Sequence, residues 1–444
     1  MLNKQQFKLF YRGFLFLLFV LNSFNVFSQR GTEEINLSPD GKIEDVYDRF
    51  GVKYKLKDVL IEAPRELRAS NPVLLTCSQT SYFNLYFASG SGMENTTDPI
   101  QNARRAVVCK VFEDISNFIN SPLSTNGNKV NIWVNNYANE NAPTGTLGLA
   151  SSFFSAPTNS TNTTSGVLDG EIWKTIHLGV DSYTSFTGTT NAFFHGKVAF
   201  NFNDASIQWH TDLSTNAASN KYDLYTAVLH EVTHALGLHS FIDENGGSLT
   251  DANYYTRFDT FLRTNSSVPL LSIGTCSMYD LSFNTSVSAT VLRPGCTLPG
   301  NLGTGNSNTT ICSNAIKYVG TSTVPVYTPI CYETGSSLSH FEDLLYPNCT
   351  THYNNDAYFV MSNTILQGLT KRYLKPEERN SLCDIGYNVK ATFGTATTSG
   401  GFFNYGGVAC SGVTVAGLTD GINNTNGSYV FTGSIATVGA TSSN

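Results

Sequence analysis

Residues 221–237 read KYDLYTAVLHEVTHALG, and this apolar stretch with two histidines constrains the fold more than any other part of the chain. Apolar side chains recur at helical spacing over a wide surface, which predicts a buried helix in the core of a globular domain. Asn220 or Ser219 can cap its start, and Gly237 suits the position just after its end. The chain is long enough to bury a large core around such a helix.

The motif H-E-x-x-H lies within this helix and predicts a metal site. His230 and His234 are four residues apart, so they lie about 40° apart around the axis and about 6 Å apart along it. Two imidazoles at this spacing can bind one zinc ion from a rigid face. Glu231 is placed to take a proton from a metal-activated water during attack on a carbonyl group. The motif also occurs by chance in helices with two partly buried histidines, but Gly237 and an export signal favour a zinc hydrolase.

That export signal lies at the N-terminus. Three basic side chains precede the apolar run GFLFLLFV, which is too short to span a bilayer. Val26 and Ser28 then supply small residues for cleavage before Gln29. We therefore predict a signal peptide over residues 1–28 and a mature protein that is secreted or held at the cell surface, without a membrane span.

Charge limits the partners of this chain. The formal net charge is −7, so no basic surface for nucleic acid or an anionic membrane is expected, and the predicted partners are proteins or peptides acting as substrates. Only 14% of the residues are charged, whereas Ser, Thr, Asn and Gly are abundant. This composition is typical of extracellular proteins that are rich in loops and strands.

Nine cysteines lie in the exported part, where disulfides persist, and the absence of a C-x-x-C motif argues against a cysteine-based zinc site. Cys276, Cys296, Cys312 and Cys331 crowd one stretch and are interpreted as two disulfides of a loop-rich insertion. Cys77 either pairs with Cys109 or caps the zinc ion as a thiolate. An odd number leaves at least one cysteine without a partner in this chain.

Composition divides the remaining chain into three parts. Residues 29–70 are charged and form a leader or pro-segment, and residues 71–395 form an α+β catalytic domain. That domain includes an insertion at about residues 241–335 with few regular signals, which short strands and disulfides are expected to order. Residues 396–444 alternate in a Gly-, Thr- and Ser-rich context, which predicts the start of a β-sandwich-like C-terminal module.

Several segments of the catalytic domain have clear patterns. NARRAVVCKVFEDISNFI has the spacing of an amphipathic helix, and NKVNIWVNNY and GKVAFNFND alternate as strands. KPEERNSLCDIGYNV predicts a late helix in which Pro376 is the first residue and Gly386 follows the end.

The sequence HEVTHALG, with a glycine three residues after the second histidine, resembles the metzincin zinc peptidases. Most members place a third histidine three residues past that glycine, where this chain has Ser240. The departure resembles leishmanolysin, in which a long insertion separates the glycine from the third histidine. Here SSLSHFEDLLYP supplies His340, which follows His234 by 340 − 234 = 106 residues, and YFVMSN supplies Met361. The resemblance covers roughly residues 70–390 and extends to secreted bacterial relatives with C-terminal β modules.

The resemblance implies a two-lobed catalytic domain. The upper lobe would be a twisted mixed sheet with helices, and the lower lobe would be irregular and stapled by disulfides, with Met361 in a Met-turn beneath the ion. The implied zinc ligands are His230, His234 and His340, and the implied general base is Glu231, in a secreted zinc endopeptidase. By analogy, GKVAFNF would be a sheet-edge strand along which a peptide pairs.

Alternatives remain at two points. His239 competes with His340 as third ligand, although it lies only two residues past Gly237 and its side chain need not return to the metal. The other four histidines, in strand-like or loop-like contexts, are expected to be structural: His177, His195, His210 and His352. The alternative functions are a surface binding or adhesion protein with a vestigial metal site, and a zinc hydrolase of a non-peptide substrate such as a glycan ester.

Overall fold

The computed structural model describes a discontinuous part of the chain: residues 72–77, 82–120, 129–140, 145–154, 165–179, 181–183, 193–250, 253–273, 281–288, 292, 315–329, 332–333, 335–345, 350–351 and 358–390. Four short strands outside these ranges, at 45–47, 53–55, 422–425 and 428–431, are also described. The predicted signal peptide, His352 and the four crowded cysteines of the insertion lie outside the described residues, as do most of the predicted leader and C-terminal module.

The described residues contain four α-helices: α1 (Pro99–Phe118), α2 (Glu171–Leu178), α3 (Leu224–Ala235) and α4 (Pro376–Asp384). The strands are β1 (Asp45–Tyr47), β2 (Lys53–Lys55), β3 (Val73–Leu74), β4 (Phe83–Phe87), β5 (Val130–Asn136), β6 (Gly148–Ser152), β7 (Ser165–Val167), β8 (Gly196–Phe200), β9 (Trp209–His210), β10 (Tyr222–Asp223), β11 (Asn253–Tyr255), β12 (Leu262–Thr264), β13 (Leu271–Ile273), β14 (Leu281–Phe283), β15 (Ile316–Val319), β16 (Thr323–Pro325), β17 (Leu344–Leu345), β18 (Thr350–Thr351), β19 (Ile422–Thr425) and β20 (Ser428–Phe431). The fold is α+β, as predicted, and none of the described helices is long and apolar enough to cross a membrane.

A mixed five-stranded sheet in the order β3-β4-β5-β8-β6 forms the largest regular element. Strands β4, β5 and β8 are parallel, whereas β3 and β6 run antiparallel to their neighbours. The prediction that GKVAFNF is an edge strand was wrong, because β8 pairs on one side with β5 and on the other with β6. The edge is β6, whose sequence GLASS consists largely of residues with low strand propensity, so pattern reasoning overlooked it.

Helix α1 covers one face of this sheet. Its carboxylate cap Asp98 accepts the backbone N–H groups of Ile100 and Gln101, and its apolar stripe packs in the same core cluster as alternate residues of β4 and β5. A disulfide between Cys77 and Cys109 joins the segment after β3 to this helix. The structure therefore resolves the alternatives for Cys77 in favour of the disulfide.

Helix α3 is the predicted core helix, and every one of its residues is buried. Its N-cap is Asp223, which accepts the Thr226 N–H at 3.0 Å, and the predicted caps Asn220 and Ser219 were wrong. The reason is that Asp223 ends β10, a short strand paired with β9, so the chain is extended up to the helix. Gly237 has φ +118° and follows the helix end, as the sequence predicted.

After α3 the chain forms short sheets. The largest is three-stranded, in the order β12-β15-β16, and two-stranded pairs form between β13 and β14 and between β17 and β18. Short strands therefore order the described part of the insertion, as expected. Helix α4 begins at Pro376 as predicted, and Gly386 follows its end with φ +112°.

Candidate metal centre

Three buried histidines converge beside the core helix. The Nε2 atom of His234 lies 3.1 Å from that of His230 and 3.1 Å from that of His340, and the three ligand atoms all lie within 4.8 Å of one another. All three side chains are buried. Two come from successive turns of α3, and the third comes from an irregular segment between β16 and β17. The cluster joins the three histidines that the sequence predicted, and it does not include His239.

Backbone carbonyl groups orient all three rings. The Nδ1 atoms of His230, His234 and His340 lie 2.6, 2.7 and 2.8 Å from the carbonyl oxygens of Val360, Leu238 and Ser336, respectively. A carbonyl oxygen only accepts, so each Nδ1 must carry the proton and donate it. Each Nε2 atom is left with a free lone pair, and the three Nε2 atoms lie close enough together to share one ion.

Local backbone geometry brings two of these carbonyl groups into place. Gly237 has the left-handed φ of +118°, which turns the chain back so that the Leu238 carbonyl reaches the ring of His234 one helical turn earlier. Leu338 also has a left-handed φ, +68°, which is uncommon for a residue with a side chain. It lies between Ser336 and His340 and lets the Ser336 carbonyl meet the ring of His340. The chain thus tolerates backbone strain where a ring must be held.

Burial keeps the three imidazoles neutral. It lowers the pKa of His230 to about 3 and that of His340 to about 4, and the His340 ring contributes to the shift at His230. The pKa of His234 falls well below its usual range, first through burial and then through the two neighbouring rings. Unprotonated rings have lone pairs available for a cation over the whole neutral pH range.

The donor set fits a metal ion. A tetrahedral ion with metal–nitrogen distances of about 2.0–2.1 Å places its ligand nitrogens about 3.3 Å apart, close to the 3.1 Å seen for both measured pairs. Bare lone pairs at this separation repel unless a cation lies between them. His230, His234 and His340 can therefore hold a metal ion. Imidazole also suits copper, iron and nickel, so the donors alone do not select zinc.

Glu231 lies next to the first of these histidines and is also buried. Within the described residues neither of its carboxylate oxygens has a hydrogen-bond partner of good geometry. Burial raises its pKa well above the usual range, and the backbone N–H of Ala150 opposes that shift. A buried carboxylate with free acceptor positions beside three inward-facing imidazoles is a site for a polar guest molecule and a strong proton acceptor.

Ala150 belongs to the edge strand β6. Phe153 donates its N–H to His195, and Asn201 donates its N–H to Leu147, so alternate residues from 147 to 153 form the hydrogen-bonded pairs with the adjoining strand. The backbone groups of Gly148, Ala150 and Ser152 therefore point away from β8, toward the outer edge of the sheet. Strand β6 packs against helix α3, and the Ala150 N–H lies near enough to Glu231 to lower the pKa of its carboxyl group.

The remaining predicted site residues lie around the cluster. Met361 is buried in a turn whose preceding residue, Val360, holds the ring of His230. His239 contacts the His234 carbonyl oxygen through Nδ1 at 3.2 Å and packs against Phe154 and Phe241.

Three other histidines lie outside the cluster. His177 is in helix α2 rather than in a strand or loop, so that part of the prediction was wrong. His195 contacts Asp181 at 3.1 Å, and His210 lies in β9.

Sequence reasoning missed the groups that support the site. Two buried carboxylates, Asp343 and Glu378, accept backbone N–H groups from the turn at residues 359–361. The sequence offers only weak signals for them: Glu378 is an acidic residue in the first turn of a predicted helix, and Asp343 follows the predicted ligand His340 closely.

Comparison of this chain with protein-family models, with curated proteins and with solved structures found no match. The resemblance to metzincin peptidases therefore depends on the motif and on the arrangement of the three histidines.

Proposed function

We propose that this chain is a secreted zinc-dependent endopeptidase related to the metzincins. The observation that carries the proposal is the convergence of three neutral histidine Nε2 atoms beside an unpartnered, buried carboxylate. A structural zinc ion needs no neighbouring base, whereas a hydrolase does. His230, His234 and His340 would hold the ion, and Met361 would lie in the Met-turn.

Zinc bound at this site would supply Lewis-acid activation of water and of the substrate carbonyl group. Glu231 would accept the proton of the attacking water on a carboxylate oxygen and later deliver it to the leaving amine nitrogen. Its burial supports this role, because a raised pKa makes the carboxylate a stronger base. The three carbonyl contacts to the histidine Nδ1 atoms keep the rings in position throughout.

The outer edge of β6 supports a peptide as the substrate. Gly148 and Ala150 direct backbone N–H and C=O groups away from β8, as in a strand to which an extended peptide can be added. All five residues of β6 are buried, so a peptide could pair here only after the groups that cover this edge move aside. The strand is only five residues long, so it suits a short segment of substrate. Pairing there would bring a peptide bond next to Glu231. A glycan ester has no backbone N–H groups with which to use this edge.

The test is peptide hydrolysis by the purified mature protein, with zinc, with a chelator, and in the variant Glu231→Gln. The amide keeps the size of the side chain but cannot accept the proton, so turnover should fall by about 10² to 10⁴ while bound zinc stays stoichiometric. Activity that survives both the chelator and the substitution would contradict the proposal. Stoichiometric zinc with no hydrolysis of any peptide in a library, by the unsubstituted protein, would favour a binding protein or a hydrolase of another substrate.

A further inference from the structure

The turn at residues 359–362 is held by two buried carboxylates. Asp343 accepts the Phe359 N–H at 2.9 Å, and a hydrogen bond from the Ser362 side chain lowers the pKa of Asp343. Glu378 accepts the Met361 N–H at 2.8 Å through one oxygen and the Lys375 N–H at 2.7 Å through the other. Glu378 therefore caps its own helix, α4, and holds the turn at the same time.

One peptide group of this turn contacts both Glu378 and a histidine of the cluster. The peptide between Val360 and Met361 donates its N–H to Glu378 and accepts at its carbonyl oxygen, 2.6 Å away, the Nδ1–H of His230. A peptide group is planar and stiff, so fixing its N–H direction also fixes the direction of its carbonyl group. When Glu378 is ionised, its negative charge at the N–H end further polarises the peptide and strengthens the bond that its carbonyl oxygen makes.

Two other backbone carbonyl groups, of Leu238 and Ser336, orient cluster histidines, and the peptide group of Ser336 has no carboxylate on its N–H. The Ser336 carbonyl holds His340, and the N–H of the same peptide, contributed by Ser337, donates to the backbone carbonyl of Glu333 at 2.8 Å. Helix geometry does not hold the His230 ring by itself, because side chains on a helix can rotate about χ1 and χ2. The His230 ring is thus held by a carboxylate through an intervening peptide.

We propose that Glu378 is a positioning residue for His230 and acts through the peptide group between Val360 and Met361. The inference rests on the proposed metal centre. It assigns the support of the first ligand to a carboxylate on the last described helix, 148 residues away along the chain, since 378 − 230 = 148. The backbone of the turn, rather than the thioether of Met361, makes the connection.

The test compares zinc affinity in Glu378→Gln and in two matched variants of the same helix. The two N–H donors bond to different oxygens of Glu378, so a carboxamide in the same place turns its NH₂ group, which cannot accept, toward one of them. The zinc dissociation constant should therefore rise by about 10- to 100-fold, the usual effect of losing a group that orients a ligand. Chelator competition gives the constant. The visible absorption spectrum of the cobalt-substituted protein reports the ligand geometry, and it should change as well.

Glu377→Gln is the control for charge, because it removes the same charge from the adjacent residue. Asp384→Asn is the control for stability: its carboxylate is buried in α4 and accepts from Thr321 N–H at 2.9 Å, away from the turn. Both controls should keep the zinc affinity and the cobalt spectrum of the unsubstituted protein, although Asp384→Asn should unfold more easily. Glu378→Asp, which retains two acceptor oxygens, should recover part of the affinity.

An unchanged zinc affinity and cobalt spectrum in Glu378→Gln would overturn the inference, as would an Asp variant no better than the Gln variant. If Glu378→Gln is unfolded without metal, the zinc concentration that restores folding replaces the dissociation constant, with Asp384→Asn measured in the same way. Equal requirements for zinc in these two variants would also overturn it. Failure of the unsubstituted protein to bind zinc would instead count against the proposed function.

Discussion

Two regions of the molecule fix their polar groups in different ways. In the sheet region (residues 72–235), helices and strand ladders satisfy much of the described backbone, and three buried acidic side chains pair with lysines: Asp114 with Lys110, Glu140 with Lys197, and Glu171 with Lys174. In the post-helix region (residues 236–390), sheets are small and several buried carboxylates accept backbone N–H groups from turns and loops. There Asp259 accepts from Phe241 and Thr256, Asp343 from Phe359, and Glu378 from Met361 and Lys375.

This difference explains how an irregular segment can hold the ligand His340 in a fixed position without a helix. A buried backbone N–H needs an acceptor, and where no strand lies alongside, a carboxylate can serve two or three donors at once. Burial of these carboxylates raises their pKa values more than the hydrogen bonds lower them: that of Asp259 rises to about 6, that of Asp343 to about 6 and that of Glu378 to about 7. The metal centre combines two ligands from the first region with one from the second.

The largest effect is expected for loss of a metal ligand. This prediction tests whether His340, from the post-helix region, is as necessary as His230 and His234 from the helix. His340→Ala should lose zinc and peptidase activity together, as His230→Ala should, because two imidazoles do not complete a tight site. His239→Ala should retain most of both, since its ring lies outside the cluster. Metal content after dialysis and peptide hydrolysis are the measurements. Loss of zinc in the His239 variant with retention in the His340 variant would mean that the three-histidine cluster is not the site.

A second prediction compares the two regions by unfolding. Phe112→Ala removes a buried ring that packs edge-to-face on Phe83 with 5.1 Å between centroids, and it should cost about 3–5 kcal/mol of unfolding free energy. Asp259→Ala leaves the N–H groups of Phe241 and Thr256 without their acceptor, at about 1–3 kcal/mol each.

Hydrogen exchange shows which region each of these two substitutions destabilises. The Phe112 variant should exchange faster throughout the sheet region, and the Asp259 variant only around residues 240–260. Uniformly faster exchange in both variants would show that the two regions unfold as one cooperative unit.

The carboxylates of the post-helix region also predict a pH dependence. The pKa of Asp259 is raised from 3.8 to about 6 in the folded chain, so between these values the folded state retains a proton that the unfolded state has released. The stabilising contribution of the protonated group is therefore complete below about pH 4 and is lost as the pH rises through about 6. Asp259→Asn should consequently gain stability relative to the unsubstituted protein over this interval. Urea unfolding in the presence of a chelator gives the free energy of unfolding of both proteins at several pH values. The histidines are the same in the two proteins, so their contributions cancel in the difference. A constant difference would contradict the shift.

The smallest effect concerns a local element of the sheet region. Asp98→Ala removes the side chain that caps α1 through Ile100 N–H at 2.8 Å and should cost about 0.5–2 kcal/mol. Zinc affinity should not change, because the cap is distant in the chain from every ligand. A fall in zinc affinity would show that α1 transmits strain to the metal centre.

Sequence reasoning succeeded where the signal is local. The helix with His230 and His234, its end at Gly237 and the start of α4 at Pro376 each follow from patterns of a few residues. It failed where the result depends on distant pairing. The edge position of β6 depends on which strand neighbours β8, and the eight residues of α2 are too few for a clear period.

His340 represents an intermediate case. No local pattern distinguishes it from other loop histidines, and it was selected only because the resemblance requires a third ligand after an insertion. The carboxylates that hold the adjacent turn had no comparable guide. Their role depends on which N–H groups the folded chain leaves without a strand partner, and that cannot be read from composition or spacing.

The separation of 106 residues between His234 and His340 has a consequence for the order of folding. If the sheet region folds first, helix α3 offers two nitrogens while the later chain is still unfolded. Tight metal binding must wait until the segment around His340 has docked, since only then are three donors within reach of one ion. Under the proposed function, a zinc ion captured before that docking could leave again, because only two histidines would hold it. The time course of stable zinc uptake therefore measures when the post-helix region docks.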